Sequence, residues 1–231
     1  MKTTLILTFL LTALICFGQK EHLEPAKEFN SNDSTRYGKY YSKSKEYRDS
    51  IYTLLYSGFS QKPYARYSVS PAFRAEYAFS LENINKKNYV ISNKFSEYYW
   101  YALLDGRQDS VKLNTNKTEI SNELYLKIGE LFGLLTDQAK EEERKFVVGK
   151  NGEILEEKVA RLDGETYSFT TTDKNGEIRT GTTWSPRPHK QPMLSRLVKT
   201  CDDLFSIGAE NNFSQTDILN EIEILINYFK N

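Results

Sequence analysis

Residues 166–184 read TYSFTTTDKNGEIRTGTTW, and this stretch decides the fold class. Tyr167 and Phe169 stand two apart on one face, and Asp173-Lys174-Asn175-Gly176 interrupts the pattern. Ile178 to Trp184 then resumes an extended, β-branched pattern. Period-two alternation on both sides of an Asn-Gly pair predicts a β-hairpin. With Asn175 and Gly176 as the two central residues of a type I′ turn, Lys174 faces Glu177, Phe169 faces Thr182 and Tyr167 faces Trp184.

The same period appears upstream. From Pro63 onward, Tyr77, Phe79 and Leu81 alternate with Glu76, Ala78 and Ser80. Tyr89 and Ile91 follow an Asn85-Lys86-Lys87 turn, and Tyr98, Trp100, Ala102 and Leu104 precede Asp105-Gly106. Val111 and Leu113 complete an expected antiparallel meander of four strands. A shorter hairpin is expected where Phe146-Val147-Val148 and Ile154-Leu155 flank Asn151-Gly152.

Helical spacing occupies separate stretches. Tyr47, Ile51, Leu54, Leu55 and Phe59 suggest a helix from about Tyr40 that ends near Gly58. Thr118 is the expected cap of a second, with Glu119 in its first turn and Ile120, Leu124, Ile128, Leu131, Phe132 and Leu135 as its stripe. Pro192 opens a third, with Leu194, Leu197, Val198, Cys201, Leu204 and Phe205 on one face and Gly208 beyond its end. Ser214 and Asp217 mark a capped start for the last, with Phe213 and Ile218 placed for a staple and Ile222, Leu225, Ile226 and Phe229 buried. Strands in runs and helices apart define an α+β domain, with helices packed on an antiparallel sheet of hairpins and meander.

Residues 1–18 have the pattern of a secretory signal peptide: Lys2, an apolar run from Leu5 to Phe17, and small Cys16 and Gly18 before Gln19. Cleavage after Gly18 is favoured over a lipid anchor at Cys16, because Ile15 and Leu14 before that cysteine are bulky. The apolar run is too short for a membrane span, which needs roughly 20 residues. Residues 19–35 are polar, carry Pro25 and show no apolar period, so they read as a disordered linker. Residues 36–231 are then a single domain. Lys, Asn, Ile and Tyr are abundant, as in an AT-rich bacterial genome, so the expected destination is the periplasm or the medium.

Charge and composition exclude several functions. The chain has 31 Lys plus Arg and 31 Asp plus Glu, and no basic stripe of the kind that binds nucleic acid. Cys201 is the only cysteine after the leader, so no internal disulfide is expected and packing must hold the fold. Its apolar neighbours at helical spacing make it a buried thiol. His189 is the one histidine outside the leader and linker, and no G-x-S-x-G accompanies it, which disfavours a nucleophilic triad. Cys and His are too few for zinc. Asp173 to Glu177 faintly resembles a calcium loop but fits a hairpin tip. Without a glycine-rich phosphate cradle either, no cofactor is expected.

Aromatic residues remain. Thirteen of the sixteen tyrosines fall between Tyr37 and Tyr101. Tyr98 to Tyr101 read as one strand, with Trp100 turned to the core and Tyr99 and Tyr101 outward, and Trp184 ends another strand. Tyr99, Tyr101 and Trp184 are therefore the candidate binding surface, since exposed rings suit sugars or partner proteins. The expectation is a non-catalytic binding protein of the bacterial envelope, with a protein or glycan partner. The alternative is a carboxylate-dependent hydrolase of envelope polysaccharide, with Asp163 and Glu165 as the acids.

Overall fold

The computed structural model describes residues 20–26, 39–141, 146–148, 151, 153–156, 163–207 and 214–231. The leader and its cut, Gly208 and Phe213 lie outside these residues. Strands β1 (Glu24–Pro25), β9 (Ile178–Trp184), β8 (Glu165–Thr172), β2 (Arg66–Pro71), β3 (Tyr77–Ile84), β4 (Lys87–Phe95) and β5 (Leu113–Ile120) lie side by side in that order. Every pairing is antiparallel. A separate ribbon pairs β6 (Phe146–Val148) with β7 (Ile154–Glu156) in the expected place. The helices are α1 (Lys39–Leu54), α2 (Tyr99–Leu104), α3 (Asn122–Asp137), α4 (Pro192–Phe205) and α5 (Gln215–Lys230), so the fold is α+β.

One face of the sheet carries α3, α4 and α5. Tyr67, Val69, Tyr77, Phe79, Leu81, Tyr167 and Phe169 meet the buried stripes of these helices in the main core. The stripes follow the sequence period. Leu124, Ile128, Leu131, Phe132 and Leu135 are buried in α3, Leu194, Leu197, Val198, Cys201 and Leu204 in α4, and Ile218, Ile222, Leu225, Ile226 and Phe229 in α5. Pro192 opens α4, and the Ser214 hydroxyl accepts the Asp217 amide at the start of α5. The cap of α3 is Ser121 rather than Thr118, because β5 runs on through Ile120 before the chain turns.

The hairpin forms one residue out of the expected register. Thr166 pairs with Trp184, Tyr167 with Thr183 and Phe169 with Gly181. Asp173 accepts the Gly176 amide and pairs with Glu177, while its carboxylate accepts the amides of Asn175 and Glu177. Gly176 alone has positive φ, +82°. This is a three-residue loop with a bulge, the next most common hairpin after the two-residue loop. The type I′ geometry occurs instead at Asn85-Lys86, both with positive φ, between β3 and β4.

Two further expectations fail. Tyr98 to Tyr101 are not a strand: the meander consists of β2 to β5, and Tyr99 begins α2. Burial there follows i, i+3, i+4, at Tyr99, Ala102 and Leu103. Nor are residues 20–26 a disordered linker. Leu23 is fully buried, and its carbonyl accepts the Lys140 amide. Glu24 and Pro25 pair with Thr182 and Gly181. The Glu21 carboxylate accepts the amides of Met193 and Leu194, and Lys20 Nζ donates to the Phe229 carbonyl at 2.6 Å. An anion thus sits at the start of α4 and a cation at the end of α5, where the helix dipoles favour them.

Candidate functional site

Among the described residues, the second face of the sheet is only half covered. Over β3 and β4, α1 and α2 bury Ile51, Leu55, Ala78, Phe95, Tyr99 and Leu103 as a small second core. Glu76, fully buried, pins this layer: its carboxylate accepts the Tyr47 hydroxyl at 2.7 Å and the Tyr99 amide at 3.0 Å. Burial raises the Glu76 pKa, and these hydrogen bonds oppose that rise only in part.

Over β2, β8 and β9 the same face is open as a groove of about 700 Å³, walled by α1. Because side chains alternate along a strand, the residues between the core aromatics all point here. The register aligns them in three rows. Arg66, Thr170 and Thr180 form the first, Ser68, Ser168 and Thr182 the second, and Ser70 and Thr166 the third. Neighbours within a row are about 5 Å apart and rows are about 7 Å apart. Tyr56 donates to Ser68 at 3.0 Å, Thr170 and Thr180 bond each other at 3.0 Å, and Thr182 donates to the Glu24 carbonyl at 3.3 Å. Among the described residues, the hydroxyls of Ser70, Thr166 and Ser168 make no hydrogen bond. Tyr52 and Ile178, both more than half exposed, stand on the rims.

Arg66 lies at one end of this floor, 8% exposed. Its guanidinium sits 4.4 Å from the Tyr56 ring centroid and 5.5 Å from that of Phe59, and it donates to the Ser60 carbonyl. Its Nε has no hydrogen-bond partner. Burial lowers its pKa, with Tyr56 and Glu82 acting against the shift. Arg48 of α1 also lines the groove. Among the described residues no carboxylate does. Those on the same face are engaged elsewhere: Glu76 as above, and Glu82 with the Ser60 amide and the Ser80 hydroxyl. Glu24 stands at the outer edge, beside Thr182.

A second cleft, about 360 Å³, opens on the helix side between the start of β8 and α4. Glu165 and Asp202 both line it. Arg74 grips Glu165 with two bonds of 2.5 and 2.6 Å, and the Tyr167 hydroxyl adds a third at 2.5 Å. Burial pushes the Glu165 carboxyl up, but these donors outweigh it and hold it below the ordinary range. Asp202 accepts the hydroxyls of Tyr77 at 2.7 Å and Tyr67 at 3.1 Å. There burial wins, and its pKa is raised.

The residues singled out from sequence do not form one surface. Tyr99 is buried, with its ring stacked on Phe95. Tyr101 is 47% exposed on α2, edge-on to Tyr98. Trp100, expected in the core, is only partly buried and contacts Tyr47. Trp184 pairs with Thr166 beyond the residues that line the groove, and its ring lies against Gly164. Asp163 is exposed on the bend before β8, apart from the pinned Glu165. His189 is exposed in the loop before α4, and Cys201 is buried. Among the described residues there is no group of three or more metal-ligating side chains, and no helix is long and apolar enough to cross a membrane.

Sequence reasoning missed the hydroxyl rows, Arg66, Glu76 and Asp202. The rows did have a signal: Ser68-x-Ser70, Thr166-x-Ser168-x-Thr170 and Thr180-x-Thr182 share one period. Comparison of the chain with protein-family models, with curated proteins and with solved structures finds no match.

Proposed function

We propose that this chain is a non-catalytic binding domain exported to a bacterial envelope, and that the hydroxyl-floored groove receives an extended glycan. The observation that carries this reading is the floor itself. Three unbonded hydroxyls that can each donate and accept match the hydroxyls of a sugar. Tyrosine rings along the α1 wall offer apolar faces for its C–H groups. Export rests on the leader pattern of residues 1–18. Lys20 and Glu21, the second and third residues after the expected cut, are the ones bound to helix ends, which suits a mature chain that starts at Gln19.

The test is titration of the mature protein with oligosaccharides from envelope polysaccharides, followed by NMR. Resonances of Ser68, Ser168, Thr182 and Tyr52 should shift together, and Ser168→Tyr should abolish the response. Shifts confined to α2 and Tyr101 would move the site away from the groove. Mass spectrometry of the exported form checks processing, and a diacylated Cys16 would replace release with anchoring.

One observation favours the hydrolase reading. Glu165 and Asp202 share a cleft and have pKa values displaced in opposite directions, as an acid and base pair requires. Against it, Arg74 and three tyrosine hydroxyls already engage both carboxylates. Release of reducing ends from envelope polysaccharide, lost in Asp202→Asn and Glu165→Gln, would establish this reading in place of the first.

A further inference from the structure

We infer that Glu76 is a proton-operated clamp on the groove wall: with a proton bound, the α1–α2 layer closes on the sheet, and without one the layer opens more often. This goes beyond the glycan reading and holds whatever occupies the groove. The geometry comes first. Glu76 is fully buried at the entry to β3. Its carboxylate joins both helices, taking the Tyr47 hydroxyl from α1 and the Tyr99 amide from α2. The titratable groups that face it are phenols, Tyr47 on α1 and Tyr98 and Tyr99 at the start of α2. Charged neighbours are engaged elsewhere. On α1, Lys43 pairs with Glu46 and Lys45 with Asp49 in water, and Arg48 lines the groove. Arg74 holds Glu165 on the other face, where Lys94 of β4 also lies, opposite Tyr77. Glu97, before α2, pairs with Arg107. Among the described residues no cation pairs with Glu76.

The sign follows from burial. Desolvation favours the neutral form of a carboxyl group that has no cation beside it. Its pKa is therefore raised, and its hydrogen bonds offset the rise only in part. When the layer lifts, water solvates the carboxylate and its pKa returns to the ordinary range. The closed form thus holds the proton more tightly, and by linkage proton uptake favours closure. The closed geometry serves both charge states. A tyrosine hydroxyl donates or accepts, so Tyr47 can receive the new carboxyl proton while the other oxygen keeps the Tyr99 amide. The layer also has a pivot. Just past α1, Asn93 donates to the carbonyls of Leu55 and Ser57, and Tyr56 donates to Ser68. That end is fastened whatever the charge on Glu76. Motion of α1 about it carries Tyr47, Ile51 and Tyr52 of the groove lining.

The experiment is amide hydrogen exchange on the mature protein, from neutral pH down to the ordinary carboxyl range, expressed as protection factors. The amides of Tyr99 and Ala102 in α2 are read relative to that of Leu131 in the main core, which removes changes in global stability. Both ratios should rise together as the pH falls, by about tenfold per pH unit at most, the slope that one proton allows. In Glu76→Gln the ratios should not depend on pH. Should that variant fail to fold, Tyr47→Phe keeps the test. It removes a donor that holds the Glu76 pKa down, so the rise should begin at a higher pH. An onset that does not move takes α1 out of the clamp and overturns the inference. So does a flat wild-type ratio, or a rise that persists in Glu76→Gln. A rise at Tyr99 with Ala102 unchanged would be one altered hydrogen bond, and overturns the motion. No sugar is present, so none of these results bears on the glycan reading.

Discussion

The two faces of the β2–β8–β9 half-sheet are built from the same strands and behave as different materials. Toward the helices, Tyr67, Val69, Tyr167 and Phe169 are buried in the main core. One residue along, Ser68, Ser70, Thr166 and Ser168 face a groove and remain partly or fully exposed. The first face gains its free energy from apolar area removed from water. The second face cannot, since a hydroxyl buried without a partner costs more than its carbon atoms return. An antiparallel sheet can therefore keep stability on one face and leave the other available for recognition.

The comparison breaks first at neighbouring residues. Phe169→Ala should cost about 3 to 5 kcal/mol, whereas Ser168→Ala should stay within about 0.5 kcal/mol. Denaturant melts that show equal losses would mean that both faces are core. Next in size is Glu76→Ala, which strips the acceptor from the Tyr47 hydroxyl and the Tyr99 amide. About 2 kcal/mol of stability should go, and the fluorescence of Trp100, 5.2 Å from the Tyr47 ring, should change with it. An unchanged signal would show that α1 is held over the groove by something else.

Gly181→Ala probes the packing of the N-terminal strap. An added Cβ would lie 2.7 Å from Leu23 Cδ1, so the strap must move, at about 1 to 2 kcal/mol. Faster hydrogen exchange at the Lys140 amide, which Leu23 accepts, would report the release. Gly176→Val should cost about 1 kcal/mol, since a β-branched residue resists the +82° φ of the bulge. A melting temperature that does not move would remove the turn assignment.

The smallest expected effect is electrostatic. Burial raises Asp202, so the folded protein holds that proton more readily than the unfolded chain. Its penalty is full above the raised pKa and is relieved as the pH falls toward the ordinary carboxyl range. Glu165 works oppositely: its stabilisation is present above the ordinary carboxyl value and is lost as the pH falls through its lowered folded value. Asp202→Asn should remove the relief, so as the pH falls from neutral to the ordinary carboxyl value wild type should gain stability relative to the variant. Parallel melting curves would mean that Asp202 is charged in water and not held between Tyr67 and Tyr77.

Legibility tracked the range of the contacts involved. Helices α3, α4 and α5 could be read because their apolar stripes lie within one helix, and α4 and α5 also carry local start signals, Pro192 and Ser214. The hairpin could be recognised but not registered. Asp173 to Glu177 can close with a two-residue or a three-residue loop, and local charges do not choose between them. The α2 aromatics misled because a run of large rings fits either period.

Local chemistry settled the class of the molecule: period two for the sheet and period 3.6 for the helices. Tertiary structure decided which loop the hairpin adopts, since only one register sets Gly181 where Leu23 can pack. It also decided that Glu21 and Lys20 close helix ends 172 and 209 residues away, and that Arg66 is buried beside a groove. Short-range preferences act between residues a few positions apart. These outcomes depend on surfaces brought together only when the whole chain has packed.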